Sequence, residues 1–432
     1  MRAALLAVLS LLLLPALASA GTVVSVRGAS GPGPARYDRV SYERFGPASA
    51  KRVLILVPGT QGGAGDFSLV GPEIVKRVKG LQVWAYDRRS QALEDHSGFA
   101  SGNPDAAFKY YLGGGGFVPA SAPFARDWGL KLALEDLRAV VKRARRGGRK
   151  VILGGHSLGA STAVAYAAWD FKGRPGYRDL SGLVLIDGGL LGTLAPPKLA
   201  DVKQRVAALR QGDPFLDLLG IGVPWAAGVF SDLAGLYAKV LPDARATFID
   251  YPAIPPALKA PVPATNEGAL GYAFNESTSP AVLSLIHVRA GALATSGDPR
   301  PWQNGEVTPI ENVAKLFGRS PVDAAEWYFP LRLSLDVQAA STMSRNAAAN
   351  SLHLRLWHKR WIDVPLYAIQ TSLSRGLVLR GARRLVAVSH IPARKVKLVN
   401  AAGVNSHLDP LTSAPGKSRF LKTVIPFLKR HQ

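Results

Sequence analysis

Four short stretches of the chain are apolar at nearly every position. Lys51–Gly59 reads KRVLILVPG, a β-branched and leucine run stopped by Pro-Gly. Leu81–Asp87 reads LQVWAYD, Lys150–Leu153 reads KVIL, and Gly182–Ile186 reads GLVLI. Such runs, without polar alternation, predict strands buried on both faces. Between them the period lengthens. Asp127–Arg146 sets Leu130, Leu132, Leu134, Leu137, Val140 and Val141 among Lys and Arg, and Gly147-Gly148 follows. This predicts an amphipathic helix with a glycine stop. A second helix is predicted from Leu158 through Ala168. Residues 21–50 read as a variable lead-in with no assigned element. Strands alternating with helices predict an α/β fold, with a mostly parallel sheet covered by helices.

The alternation stops near Gly189 and resumes at Val364–Gln370 (VPLYAIQ). A helix over Leu377–Val388, a strand over Lys395–Val399 and a helix over Phe420–Lys429 complete the pattern. The interval holds helical pieces, Pro-rich turns and aromatics. At roughly 170 residues it is far longer than a loop, and it is expected to fold by itself as a mainly helical cap before the penultimate strand. The predicted organisation is residues 1–20 as a signal peptide, 21–188 as the first part of the sheet domain, 189–361 as the cap, and 362–432 as the second part.

The first twenty residues change the picture of where the chain works. Arg2 precedes an apolar run from Ala3 to Leu14, Pro15 breaks it, and Ala18-Ser19-Ala20 offers the small residues a signal peptidase requires. The chain is expected to be secreted, with Gly21 as its first mature residue. It has no Cys, which excludes disulfides, thiolate nucleophiles and Cys-ligated metals. Its formal charge is +23, and Ser351–Gln432 carries fifteen Lys or Arg against Asp363 and Asp409. Such a field suits an anionic cell-envelope surface. No nucleic-acid-binding motif accompanies it, so no nucleic acid is expected as a partner.

The chemistry centres on Gly155-His156-Ser157-Leu158-Gly159, a G-x-S-x-G between a predicted strand and a small-residue helix. That context is what a nucleophile elbow requires. The serine is pushed out at the strand end, the glycines let strand and helix approach, and the Leu158 N–H is left free at a helix N-terminus to bind an oxyanion. There is no Walker loop, no G-x-G-x-x-G and no H-E-x-x-H, so neither a cofactor nor a metal is expected. Asn275-Glu276-Ser277 matches a glycosylation sequon.

On the elbow and its strand–helix frame, the chain resembles the α/β-hydrolase superfamily over 51–186 and 364–429. The resemblance implies a second oxyanion donor in the loop after the third strand. Here that loop is Pro58-Gly59-Thr60-Gln61-Gly62-Gly63, with Pro where the family usually has His, and the donor would be the N–H of Thr60 or Gln61. It implies a base between the last strand and the last helix, where His407 stands in Asn405-Ser406-His407-Leu408-Asp409. The family's acid usually follows the strand after the cap. That place reads Tyr367-Ala368-Ile369-Gln370-Thr371-Ser372, without a carboxylate, and Asp363 is at the wrong end. Asp187, ending the preceding strand, matches the position used by some lipases of the family.

The implied function is that of a secreted serine hydrolase cleaving carboxylic esters through an acyl-enzyme on Ser157, with a small-molecule or lipid ester as substrate. The aromatic insertion, including Phe215, Trp225, Phe230, Tyr237, Phe274 and Trp302, is expected to supply an apolar pocket or lid. A peptidase or amidase of the same fold is the enzymatic alternative. A catalytically silent envelope-binding protein is the alternative of a different class.

Overall fold

The computed structural model describes residues 21–279, 283, 285–286 and 307–431. The expected signal segment and Trp302 therefore lie outside the described residues. Eight strands form one sheet: β1 (Thr22–Arg27), β2 (Arg39–Phe45), β3 (Arg52–Val57), β4 (Leu81–Asp87), β5 (Lys150–His156), β6 (Gly182–Ile186), β7 (Leu366–Gln370) and β8 (Val396–Asn400). Their order is β1-β2-β4-β3-β5-β6-β7-β8. The pairs β1–β2 and β2–β4 are antiparallel and the others are parallel.

The pleat divides each central strand between two cores. Leu54 and Leu56 of β3 face one side with Val83, Ile152, Val184 and Ile369. Val53, Ile55 and Val57 face the other with Trp84, Leu153 and Leu185. Helices α1 (Val70–Arg77) and, at the C-terminus, Arg419–Arg430 cover the first side. Helices α2 (Leu130–Ala144) and α3 (Leu158–Ala168), followed later by Leu377–Ala387, cover the second. Each apolar side chain buried this way is worth about 1.5–3 kcal/mol, which is why the polar-free runs form the middle of the sheet. Helix α3 is almost entirely alanine and small residues and is buried along its length, so it seats directly on β5 and β6.

The lead-in at 21–50 differs from expectation: it holds β1 and β2. Strand β1 is an edge strand with half-exposed and exposed positions throughout, and β2 mixes buried Val40, Tyr42 and Phe45 with the polar Arg39, Ser41 and Arg44 and a buried Glu43. Neither makes the unbroken apolar run that marks a doubly covered strand.

Between β6 and β7 the chain forms helices Leu199–Gln211, Ala226–Val240, Asn266–Phe274, Ile310–Phe317, Leu331–Ala340 and Ala347–Ser351. This is the large helical insertion before the penultimate strand, and the architecture is that of the α/β-hydrolase fold. Among the described residues, Phe230, Tyr237, Phe274 and Phe317 of the insertion join the core that contains Leu54 and Ile74, and Leu333 and Val337 pack with α2 and α3 residues.

Candidate active site

Strand β5 delivers Ser157 into a turn that L-residues rarely adopt, with φ 54° and ψ −122°. Such a conformation costs about 1–3 kcal/mol and persists only where the surroundings enforce it. Here they do. The Ser157 N–H donates to the Ile186 carbonyl at 2.8 Å, holding the turn against the end of β6. A Cβ on Gly155 would lie 2.3 Å from the Gly159 carbonyl carbon, and one on Gly159 would lie 1.9 Å from the Val57 oxygen. Both glycines are therefore steric requirements of the close packing of β3, β5 and α3. Ser157 is half-buried and opens onto two cavities.

His407 reaches the same two cavities from the loop after β8. That loop is tied down locally: the Ser406 N–H donates to Asp409 Oδ2 at 2.5 Å, and Thr308 donates to Asp409 Oδ1 at 2.7 Å. The Leu408 N–H also donates to the Leu285 carbonyl at 2.7 Å. His407 Nδ1 lies 2.6 Å from Asp187 Oδ2. With Nδ1–H donating to a carboxylate, the tautomer is set and Nε2 is left as an acceptor.

Asp187 follows β6 directly, with φ 45° and only 4% of its surface exposed. Besides His407, it accepts from the Thr371 N–H at 2.8 Å and from the Thr371 hydroxyl. Burial would raise its carboxyl, but the hydrogen bonds and charge of His407, with those of Thr371, outweigh burial and hold it below the ordinary carboxylate range. Thr371 follows β7, at the place where the resemblance led one to look for the acid. The structure thus brings together Ser157, Asp187 and His407 from three separate stretches of chain.

His156 is a residue that sequence reasoning set aside. Its ring lies 4.3 Å from that of His407, tilted by 45°, and its Nε2 lies 2.9 Å from the His407 carbonyl oxygen. Burial, followed by the neighbouring His407, pulls its pKa down to about 3. It is therefore neutral near pH 7 and donates Nε2–H to that carbonyl. Its partner is 251 residues away, so nothing in the local motif announces the contact.

The loop after β3 is held from behind by Arg88, whose guanidinium donates to the carbonyls of Pro58, Gly59 (2.9 Å) and Gly62 (3.2 Å). Arg88 is itself paired with buried Glu326 at 2.6 Å. In a trans peptide the N–H opposes the C=O, so fixing the Gly59 carbonyl on Arg88 turns the Thr60 N–H the other way. The N–H groups of Thr60, Gln61 and Leu158 have no hydrogen-bond partner among the described residues. Gln61 has φ 51°, and its carbonyl accepts from the Glu326 N–H at 3.0 Å.

The two cavities differ in lining. One, of about 240 Å³, runs under the insertion against Leu218, Phe274, Leu283, Leu285 and Phe317. The other, of about 360 Å³, is lined by Ser161, Thr193, Ser334, Gln338 and Ser374 together with Leu194, Leu373, Leu377 and Val378. Of the aromatic residues expected at a pocket, Phe274 is there. Phe215 instead packs on Tyr328, and Trp225 on Phe117; neither lines either cavity. Asn275 of the sequon is fully buried, which removes it as a glycan acceptor in the folded chain.

No protein-family model matches the chain. No curated protein matches it. Among solved structures, it is similar to a candidate lipase from Sulfolobus solfataricus at 14% identity, with 95% of this chain and 94% of that one covered and a TM-score of 0.50. A thermophilic esterase from Thermogutta terrifontis is similar at 14% identity, 95% and 99% coverage and a TM-score of 0.42. Epoxide hydrolase A from Mycobacterium thermoresistibile is similar at 15% identity, 95% and 98% coverage and a TM-score of 0.43. At these identities the likeness is one of fold.

Proposed function

We propose that the chain is a serine hydrolase that cleaves carboxylic esters of apolar or lipid-like acids. The observation that carries this reading is the 2.6 Å contact between His407 and Asp187 beside the strained Ser157. Ser157 Oγ attacks the ester carbonyl carbon as His407 Nε2 takes its proton. The carbonyl oxygen, now an oxyanion, is received by the N–H groups of Leu158 and of Thr60 or Gln61, with Thr60 favoured by the way Arg88 holds the Gly59 carbonyl. Collapse of the tetrahedral intermediate breaks the ester C–O bond, and His407 returns the proton to the departing alcohol. A water activated by His407 then attacks the acyl-enzyme and frees the acid and Ser157. Asp187 keeps the ring in the right tautomer and stabilises the imidazolium that forms.

The apolar cavity under Phe274 and Phe317 suits an acyl chain, and the second cavity, which mixes hydroxyls and an amide with apolar side chains, suits the alcohol part. In this reading the first twenty residues serve as an export signal, with Gly21 as the first mature residue. The basic C-terminal part would then face anionic groups of the envelope.

The test is turnover of p-nitrophenyl esters of increasing chain length by the mature protein and by Ser157→Ala. Activity that disappears in the variant supports the reading. Absence of wild-type activity on every ester, with cleavage of peptide anilides, would replace it with the peptidase reading. Inertness toward both classes would leave the envelope-binding protein.

A further inference from the structure

We propose that Glu94, His96 and Asp323 form a binding site for one divalent cation of the zinc type, which clamps the insertion onto the loop carrying Thr60 and Gln61. Glu94 and His96 lie in the segment after β4, and Asp323 lies in the insertion. One ligand atom from each falls within 4.8 Å of the other two. His96 Nε2 is 3.1 Å from Glu94 Oε2 and 3.9 Å from Asp323 Oδ2. The side chains of Glu94 and Asp323 are 0% and 2% exposed, and that of His96 is 15% exposed. The cluster is thus dry on the carboxylate side and open on the imidazole side, where a cation would enter.

The second observation is an orphaned atom. Asp323 Oδ2 is buried and has no hydrogen-bond partner among the described residues, yet it points at the imidazole. A buried carboxylate oxygen left unpaired costs several times an ordinary hydrogen bond, so a cation at this spot satisfies what the protein does not.

The ligands are also held in place. The Trp327 N–H donates to Glu94 Oε1 at 2.8 Å, and Oε2, which the Gln91 side-chain amide also touches, lies 3.1 Å from His96 Nε2. The His96 ring rests on the Trp327 indole at 4.9 Å between centroids. One imidazole and two carboxylates with room for water make a three-ligand open site, and the imidazole favours zinc-like ions over calcium or magnesium.

The consequence for the neighbouring loop is direct. The Asp323 carbonyl accepts from the Gly65 N–H at 2.7 Å, and the Ala324 carbonyl accepts from the Gly63 N–H at 3.1 Å. A cation on Asp323 would therefore fix the strip of insertion to which the oxyanion loop is bonded.

The test uses the mature full chain, stripped with a chelator, dialysed and titrated with zinc chloride alone. The expected result is one equivalent bound per chain, with proton release, and a rise in Tm of several degrees that calcium chloride does not produce. His96→Phe keeps the ring on Trp327 and removes the nitrogen; Asp323→Asn keeps shape and removes charge. Each should lose the zinc-dependent shift. Unchanged zinc binding in both variants, or no stoichiometric binding in the wild type, overturns the proposal. So does stabilisation by calcium in place of zinc. A Glu94–Asp323 pair that holds only a proton would show stability falling as pH rises, with zinc changing nothing, and this also overturns it. None of these readouts depends on hydrolytic activity.

Discussion

Replacing Asp187 by Asn separates the acid's electrical role from its shape. The carboxylate now accepts three hydrogen bonds: from the Thr371 N–H on Oδ1, and from His407 Nδ1 and the Thr371 hydroxyl on Oδ2. An amide fits the same space in two orientations. With its NH₂ at the Oδ1 place, it opposes the Thr371 N–H donor to donor, at a cost of about 1–3 kcal/mol. With its NH₂ at the Oδ2 place, the Thr371 hydroxyl rotates to accept, and His407 Nδ1 must accept as well. The second orientation wins by about that margin, and it moves the imidazole proton to Nε2, where it can no longer receive the Ser157 proton. Folding stability should therefore change by no more than about 1 kcal/mol, while kcat falls by about 10³–10⁴, equivalent to about 4–5.5 kcal/mol of barrier. Urea unfolding and p-nitrophenyl ester turnover, run on the same preparation, read the two quantities. A well-folded Asp187→Asn chain within tenfold of wild-type kcat would refute the assignment.

Three other outcomes follow from the geometry. His156→Phe removes the donor to the His407 carbonyl, at about 1 kcal/mol or about fivefold in kcat/KM; an unchanged value in ester turnover would show that the contact does not position the base. Leu218→Trp narrows the apolar cavity and should lower kcat/KM for long acyl chains at least about tenfold relative to short ones, whereas replacing Phe215 or Trp225, which lie off the cavities, should leave chain preference unchanged. Burial raises the Asp87 carboxyl to about 7. Because the folded state holds this proton more tightly than the unfolded state, the contribution is complete below pH 4 and is lost as pH rises through 7, at up to about 1.4 kcal/mol per pH unit. Asp87→Asn retains an acceptor for the Ala64 N–H and should flatten that decline in urea titrations from pH 4 to 8; an identical slope would refute the linkage.

The central sheet was legible because β3, β4, β5 and β6 are covered on both faces and so are apolar at most positions. The same rule hid the edge strand β1, exposed or half-exposed along its length, and β2, whose run is broken by Arg39, Ser41, Glu43 and Arg44. Ser157 was legible because its strained turn needs local glycines. Asp187 and His407 were reached through the resemblance, which says at which strand ends an acid and a base are to be sought. Their supporting partners were not, since Thr371, His156 and Arg88 act through contacts between residues far apart in sequence. The same holds for the Glu94–His96–Asp323 cluster, which joins two segments whose spacing matches no ligand motif. The pocket was half legible: aromatic content marked the insertion, but which aromatics face the cavity depends on helix packing against the sheet.

Thr371 touching Asp187 bears on how such a site changes over evolutionary time. The ends of β6 and β7 are joined by this contact, so a lineage that acquired Thr371→Asp would place a new carboxylate beside the old one, sharing a proton with it. Loss of Asp187 could then follow with His407 still facing an acid. The position of the acid is thus a property of two neighbouring strand ends taken together, and relatives that differ in which end carries it need not have rebuilt the site between them.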